Sequence, residues 1–238
     1  MNRGRLGAYA LWQIRDFTLQ RGIAIAIIGA LFLLQVRLAV SGFGAAGVDV
    51  RMLATELLGP FLLIASIIAI NGIISSDRRQ GHFRFLFAKP VSMVRYYLQA
   101  FAVHGAGVVA ATALFLLAFW WMSGAAMPAR TVLYSVPAFM LLGGLGFLFS
   151  AALRNDWILL AGTVVMTQIL RGRYENESGM VATLVNWLLP PLHVFGDMRR
   201  TLGMGGMPET SAIVWPIAYG AVAIVAGVVV LRRRAMAG

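Results

Sequence analysis

The sequence predicts an all-α integral membrane protein. It forms one transmembrane domain over residues 1–238, with six transmembrane helices, an N-terminal interfacial helix, and a re-entrant or interfacial outer segment between spans five and six. Three observations carry this reading. The chain is 60% hydrophobic and only 12% charged, with a mean hydropathy of +0.80, too apolar for a water-soluble fold of this size. Six apolar stretches recur along it, and its basic residues fall unevenly on the two sides that six crossings define.

The elements follow from length and punctuation. Residues 1–21 hold Leu6, Ala10, Leu11, Ile14 and Phe17 on one side of a helical projection, with Arg5, Arg15, Asp16 and Gln20 elsewhere. This is the pattern of a helix lying in the membrane interface, although a simple basic anchor explains it equally well. A helix needs about 20 residues to cross a ~30 Å hydrocarbon layer. The candidate spans are residues 22–40, 53–74, 97–122, 131–153, 157–170 and 212–231. The fifth is short, with 14 residues between Asp156 and Arg171, so the bilayer thins there, flanking residues are recruited, or the helix stops below the outer surface. In the outer connection, residues 171–211, the apolar piece 180–194 contains Pro190-Pro191, which removes two backbone donors and interrupts a helix.

Thirteen Lys and Arg lie on the side that holds both termini and seven on the other, while six of the nine acids fall on or near that second side. This polarity puts both termini in the cytoplasm and the basic surface against anionic lipid headgroups. No basic region stands apart from the loops, so the excess charge does not imply a nucleic-acid partner. Trp120-Trp121, Trp157 and Trp215 sit at span ends, where interfacial belts form; Trp187 either anchors the outer segment or faces a lipid-like substrate. Cysteine is absent, which excludes disulfides and thiolate metal sites. The first 20 residues lack the continuous apolar core of a cleavable signal.

Between spans two and three, residues 75–96 form a basic, aromatic connector. Ser75, Ser76 and Asp77 are good helix caps, Phe83, Leu86 and Phe87 recur at helical spacing, Pro90 ends the run, and Ser92 can cap the third span. Arg78, Arg79, Gln80 and Arg84 then remain available to carboxylates and carbonyls. On these features alone the segment is either a membrane-hugging loop or a docking lever. The order of Asp77, Arg78-Arg79, Gly81, the apolar turn and Pro90-Val91-Ser92 resembles the same connector in type-2 ABC exporter permeases. The resemblance covers about residues 72–98 and extends to the six-span layout. His82 stands where Thr or Ser commonly follows the glycine, and Met93 where a basic residue is frequent.

The resemblance implies a membrane-spanning permease subunit of an ATP-driven exporter. It forms the translocation path as a dimer with a second permease copy and couples through Asp77, Arg78, Arg79, Gly81, Phe83, Arg84, Leu86, Phe87 and Pro90 to a separate ABC ATPase subunit. This chain is then not an enzyme and binds no cofactor, with ATP and Mg held by the partner. Consistently, the lone lysine, Lys89, lies between Ala88 and Pro90 without a P-loop. The alternative is a non-transporting membrane scaffold or assembly factor for another complex.

The apolar segments also carry polar residues. Glu56 is a wet boundary residue, a partner of Arg51 or Arg37, or a substrate contact. Asn71, His104, Thr163, Thr167 and Gln168 line a polar path or each satisfy one local hydrogen bond. His82, His104 and His193 are spread across the membrane and cannot share a zinc ion. Gly143-Gly144-Leu145-Gly146 lies inside an apolar run, which reads as close helix packing rather than phosphate binding.

Overall fold

The computed structural model describes residues 3–41, 50–81, 92–153, 156–174, 179–180, 183 and 187–235. All regular structure among them is helical. The elements are α1 (Arg3–Asp16), a π-helical turn (Phe17–Gly22), α2 (Ile23–Val40), α3 (Val50–Ile70), α4 (Ser75–Arg79), α5 (Met93–Ser123), a 3-10 turn (Ala129–Tyr134), α6 (Ser135–Ala152), α7 (Asp156–Tyr174), α8 (Val194–Gly203) and α9 (Thr210–Ala235).

Among the described residues, five stretches are long and apolar enough to cross a membrane: Tyr9–Leu38, Val50–Arg79, Met93–Ser123, Ala129–Ala152 and Thr210–Arg233. The expected fifth span, within α7, is not among them, because Asp156, Arg171 and Arg173 crowd the ends of its apolar run. Where a boundary was expected near residue 22, residues 3–40 are helical throughout. The π turn widens the helix there. It carries Phe17 inward to pack on Gly107 and, at 5.2 Å between ring centroids, on His104 of α5. On α1, Gln13 is buried and donates to the Tyr96 carbonyl at 3.3 Å, while Leu11 and Ile14 of the expected apolar face are exposed.

Helix α6 is the axis of the bundle, with thirteen of its eighteen residues buried. It packs against α3, α5, α7 and, most extensively among the described elements, α9. Small residues make that contact. Gly144 lies against the backbone of Gly220, Gly220 against the carbonyl of Met140, and Gly227 against Phe147 and Leu148. In an apolar solvent, such close backbone approach supplies the dispersion contacts that hold helices together. Rising numbers match along both helices, so α6 and α9 run parallel. Across the rest of the core, Phe61 stacks on Phe115 at 4.6 Å and Phe101 meets Phe139 at 5.0 Å.

The same contacts order the two ends of the bundle. Ser150, near the end of α6, touches the turn after α3, and Asp156 opens α7 at the same end. Gln168, further along α7, lines a cavity with Arg199 of α8 toward the opposite end. Helix α7 therefore traverses most of the bundle despite its short apolar run. The beginning of α2 and the last turns of α9 lie at the end where α4 sits.

Candidate functional site

The connector begins where α3 stops. Gly72 takes a positive φ of +70°, a conformation that side-chain-bearing residues rarely adopt, and turns the chain into α4. A short helix leaves its first N–H groups without internal partners. The sequence expects Ser75, Ser76 and Asp77 to cap them locally, but no side-chain cap forms; the Ser76 amide donates to the Gly72 carbonyl at 3.2 Å, and two donors are met from across the bundle. The amides of Ile74 and Ser75 both donate to Ser150 Oγ, at 3.0 and 2.9 Å. The Ser76 hydroxyl instead donates to the Gly72 carbonyl. At Ser92, too, no side-chain cap forms; its carbonyl accepts the Tyr96 amide at 3.0 Å.

Asp156 closes this clasp. Its carboxylate is almost fully buried, and Oδ2 accepts from the Gly72 amide and the Ser75 hydroxyl, each at 3.0 Å. Oδ1 accepts from the Trp157 amide at 3.0 Å. A carboxylate at the first position of a helix also sits at the positive end of the helix dipole, so burial of its charge is offset by directed N–H and O–H groups. Arg78 Nη1 donates to the Ala151 carbonyl at 2.8 Å, capping the last turn of α6. Tyr97 of α5 donates its hydroxyl to Asp77 at 3.1 Å. From the π turn, Arg21 donates to the Asn71 carbonyl at 2.9 Å and lies 3.7 Å from Asp16. Gly81, at φ +72°, then ends α4.

The clasp thus ties the root of the connector to four neighbouring elements. It gathers Asp77 and Arg78 of the expected coupling residues and leaves Arg79 exposed beside them. Phe83, Arg84, Leu86, Phe87 and Pro90 lie outside the described residues. Sequence reasoning missed Ser150 and Asp156. A signal existed for the second, since Asp16, Asp77 and Asp156 are the only acids on the side assigned to the termini.

The expected polar path is divided. Asn71 belongs to the clasp, through its carbonyl. The Thr167 hydroxyl, fully buried, donates to the Thr163 carbonyl at 2.7 Å, which satisfies both groups locally. Gln168 lines a cavity of about 320 Å³ together with Leu62, Tyr134, Leu142 and Arg199. Glu56 borders this region and is bound to α8, partners the sequence did not suggest. Arg199 Nη2 meets Glu56 Oε2 at 2.5 Å and Arg200 Nε lies 3.6 Å from Oε1.

Pro60 explains the second Arg199 contact. A proline at position 60 cannot donate to the carbonyl four residues earlier, which is that of Glu56. Arg199 Nη1 donates to this carbonyl at 3.1 Å, and Gly59 leaves the space in which the guanidinium lies. Among the described residues no group of three or more His, Cys, Asp or Glu is placed to hold a metal ion. No family model and no curated protein matches the chain.

Proposed function

We propose that this chain is the membrane-spanning permease subunit of an ATP-driven exporter of the type-2 ABC kind. A second permease copy completes its translocation path, and a separate ATPase subunit supplies the ATP and Mg chemistry. The observation that carries this reading is the clasp. The stem of the connector whose sequence resembles a coupling element is held at both Gly72 and Arg78 by side chains and carbonyls of α6 and α7. Force applied to the connector would reach the central helices through directed hydrogen bonds. In this reading α7 is the fifth of six crossings, α1 lies at the inner interface, and the protein is a multi-pass cell-membrane protein with both termini cytoplasmic.

Co-expression with a candidate ATPase tests the proposal. Phe83→Ala with Phe87→Ala should leave insertion intact and lower ATPase recovery in a detergent pull-down, since interfaces concentrate affinity in aromatic and arginine anchors. Asp156→Ala should retain the ATPase but weaken substrate-stimulated turnover. Undiminished recovery with the double variant removes the connector from the docking site, and recovery without any effect on ATP turnover favours a scaffold.

A further inference from the structure

Helix α8 sorts its charges by face. Arg199 and Arg200 turn to Glu56 on α3. Val194, Asp197, Met198 and Thr201, spaced by three or four residues, line the opposite face against the start of α9, where a cavity of about 740 Å³ opens. Glu209, Trp215, His193 and Trp187 line it as well. The chain has 20 Lys and Arg against 9 acids, yet among the described residues two carboxylates and no lysine or arginine line this cavity. The arginines nearest in sequence to Asp197 are held by Glu56, so neither of them neutralises its charge.

Trp187 and Trp215 meet edge to face, their centroids 5.0 Å apart. They also wall an adjoining cavity of about 410 Å³, which continues between α6 and α9 past Leu145, Leu148, Val222 and Ala226. From Trp215 to Ala226 a helix rises about 16 Å. The two spaces together have an acidic, aromatic head and an apolar trough.

We propose that they bind an amphiphile with a single cationic head, an amine or quaternary ammonium. The head lies between Asp197, Glu209 and the indole faces, and the tail lies along the α6–α9 trough. Indole faces attract cations through the ring quadrupole, and two carboxylates reinforce that preference. An anionic head would meet like charge. A zwitterionic phospholipid would bring a phosphate for which the cavity provides no lysine or arginine. The assignment goes beyond the coupling proposal and does not rest on it, because binding is read without an ATPase.

The test uses the full chain in dodecyl maltoside and tritiated dodecyltrimethylammonium as the probe, read by scintillation proximity. Saturable binding near one probe per chain is expected. Asp197→Asn with Glu209→Gln, an isosteric change of two exposed side chains, should weaken it at least tenfold, as should Trp215→Leu. Trp121→Leu, which alters an exposed indole at the end of α5, should leave binding unchanged. Dodecyl sulfate and dihexanoylphosphatidylcholine should each displace the probe at least tenfold less well than unlabelled probe. Undiminished binding by the charge-neutral double variant, equal displacement by either competitor, or the absence of saturable binding by the wild-type chain would overturn the proposal.

Discussion

Asp156→Ala is the sharpest probe of the clasp. The substitution removes the acceptor of two hydrogen bonds that cross from α7 to the connector root, from the Gly72 amide and the Ser75 hydroxyl. The amide is buried and has no freedom to turn elsewhere, so leaving it unsatisfied costs about 1–3 kcal/mol. The hydroxyl can rotate toward another acceptor, so its loss adds about 0.5–1.5 kcal/mol. Together these raise the opening equilibrium of residues 71–79 by about 1.5–4.5 kcal/mol, or roughly 10- to 1,600-fold at about 1.4 kcal/mol per decade. Asp156→Asn keeps a neutral acceptor for one or both donors and should give a smaller effect. Native-state hydrogen exchange on detergent-solubilised protein, read in peptides covering residues 71–79, measures the opening directly. Unchanged exchange there, or a loss of protection spread equally over α2 and α9, would refute the reasoning.

Three further outcomes are expected. Glu56→Ala should destabilise the protein by about 2–3 kcal/mol, less than the ~3–5 kcal/mol for breaking a fully buried pair because the Glu56 side chain is 41% exposed. Adding Arg199→Met should recover part of that loss in thermal unfolding, and a double variant no more stable than Glu56→Ala would show that the guanidinium is not left stranded. Gly220→Leu should cost about 3 kcal/mol or more, since a side chain there meets the α6 backbone. Gly162→Ala, by contrast, should add about 0.5–1 kcal/mol, because nothing lies within 4 Å of the new methyl and a helical glycine is replaced; a lower melting temperature for this variant would contradict the packing of α7.

The long helices were legible in the sequence because span length and hydropathy depend only on local composition. The ends of α7 were ambiguous for the same reason, since Asp156, Arg171 and Arg173 weigh against a span whichever way the helix packs. Residues 143–146 could be read as a packing surface because glycine offers no other chemistry in an apolar helix, but their partner, Gly220, could not be named from spacing. Capping was misjudged at Ser75, Ser76 and Ser92. Local rules count only nearby donors and acceptors, and the acceptors used at Ile74 and Ser75 come from Ser150 in another helix. The partner of Glu56 lies 143 residues away. Pro60 could have prompted a search for a donor to the Glu56 carbonyl, though not the identity of Arg199.

The parallel pairing of α6 and α9 sets a schedule for synthesis. Gly220 follows Gly144 by 76 residues, and at ~5–20 residues per second the ribosome needs about 4–15 s to deliver it. During that interval the glycine face of α6 exists without the helix that fills it. A nascent chain stalled before residue 210 would carry an open groove along its most buried helix, a feature by which membrane quality control could tell an unfinished copy from a finished one.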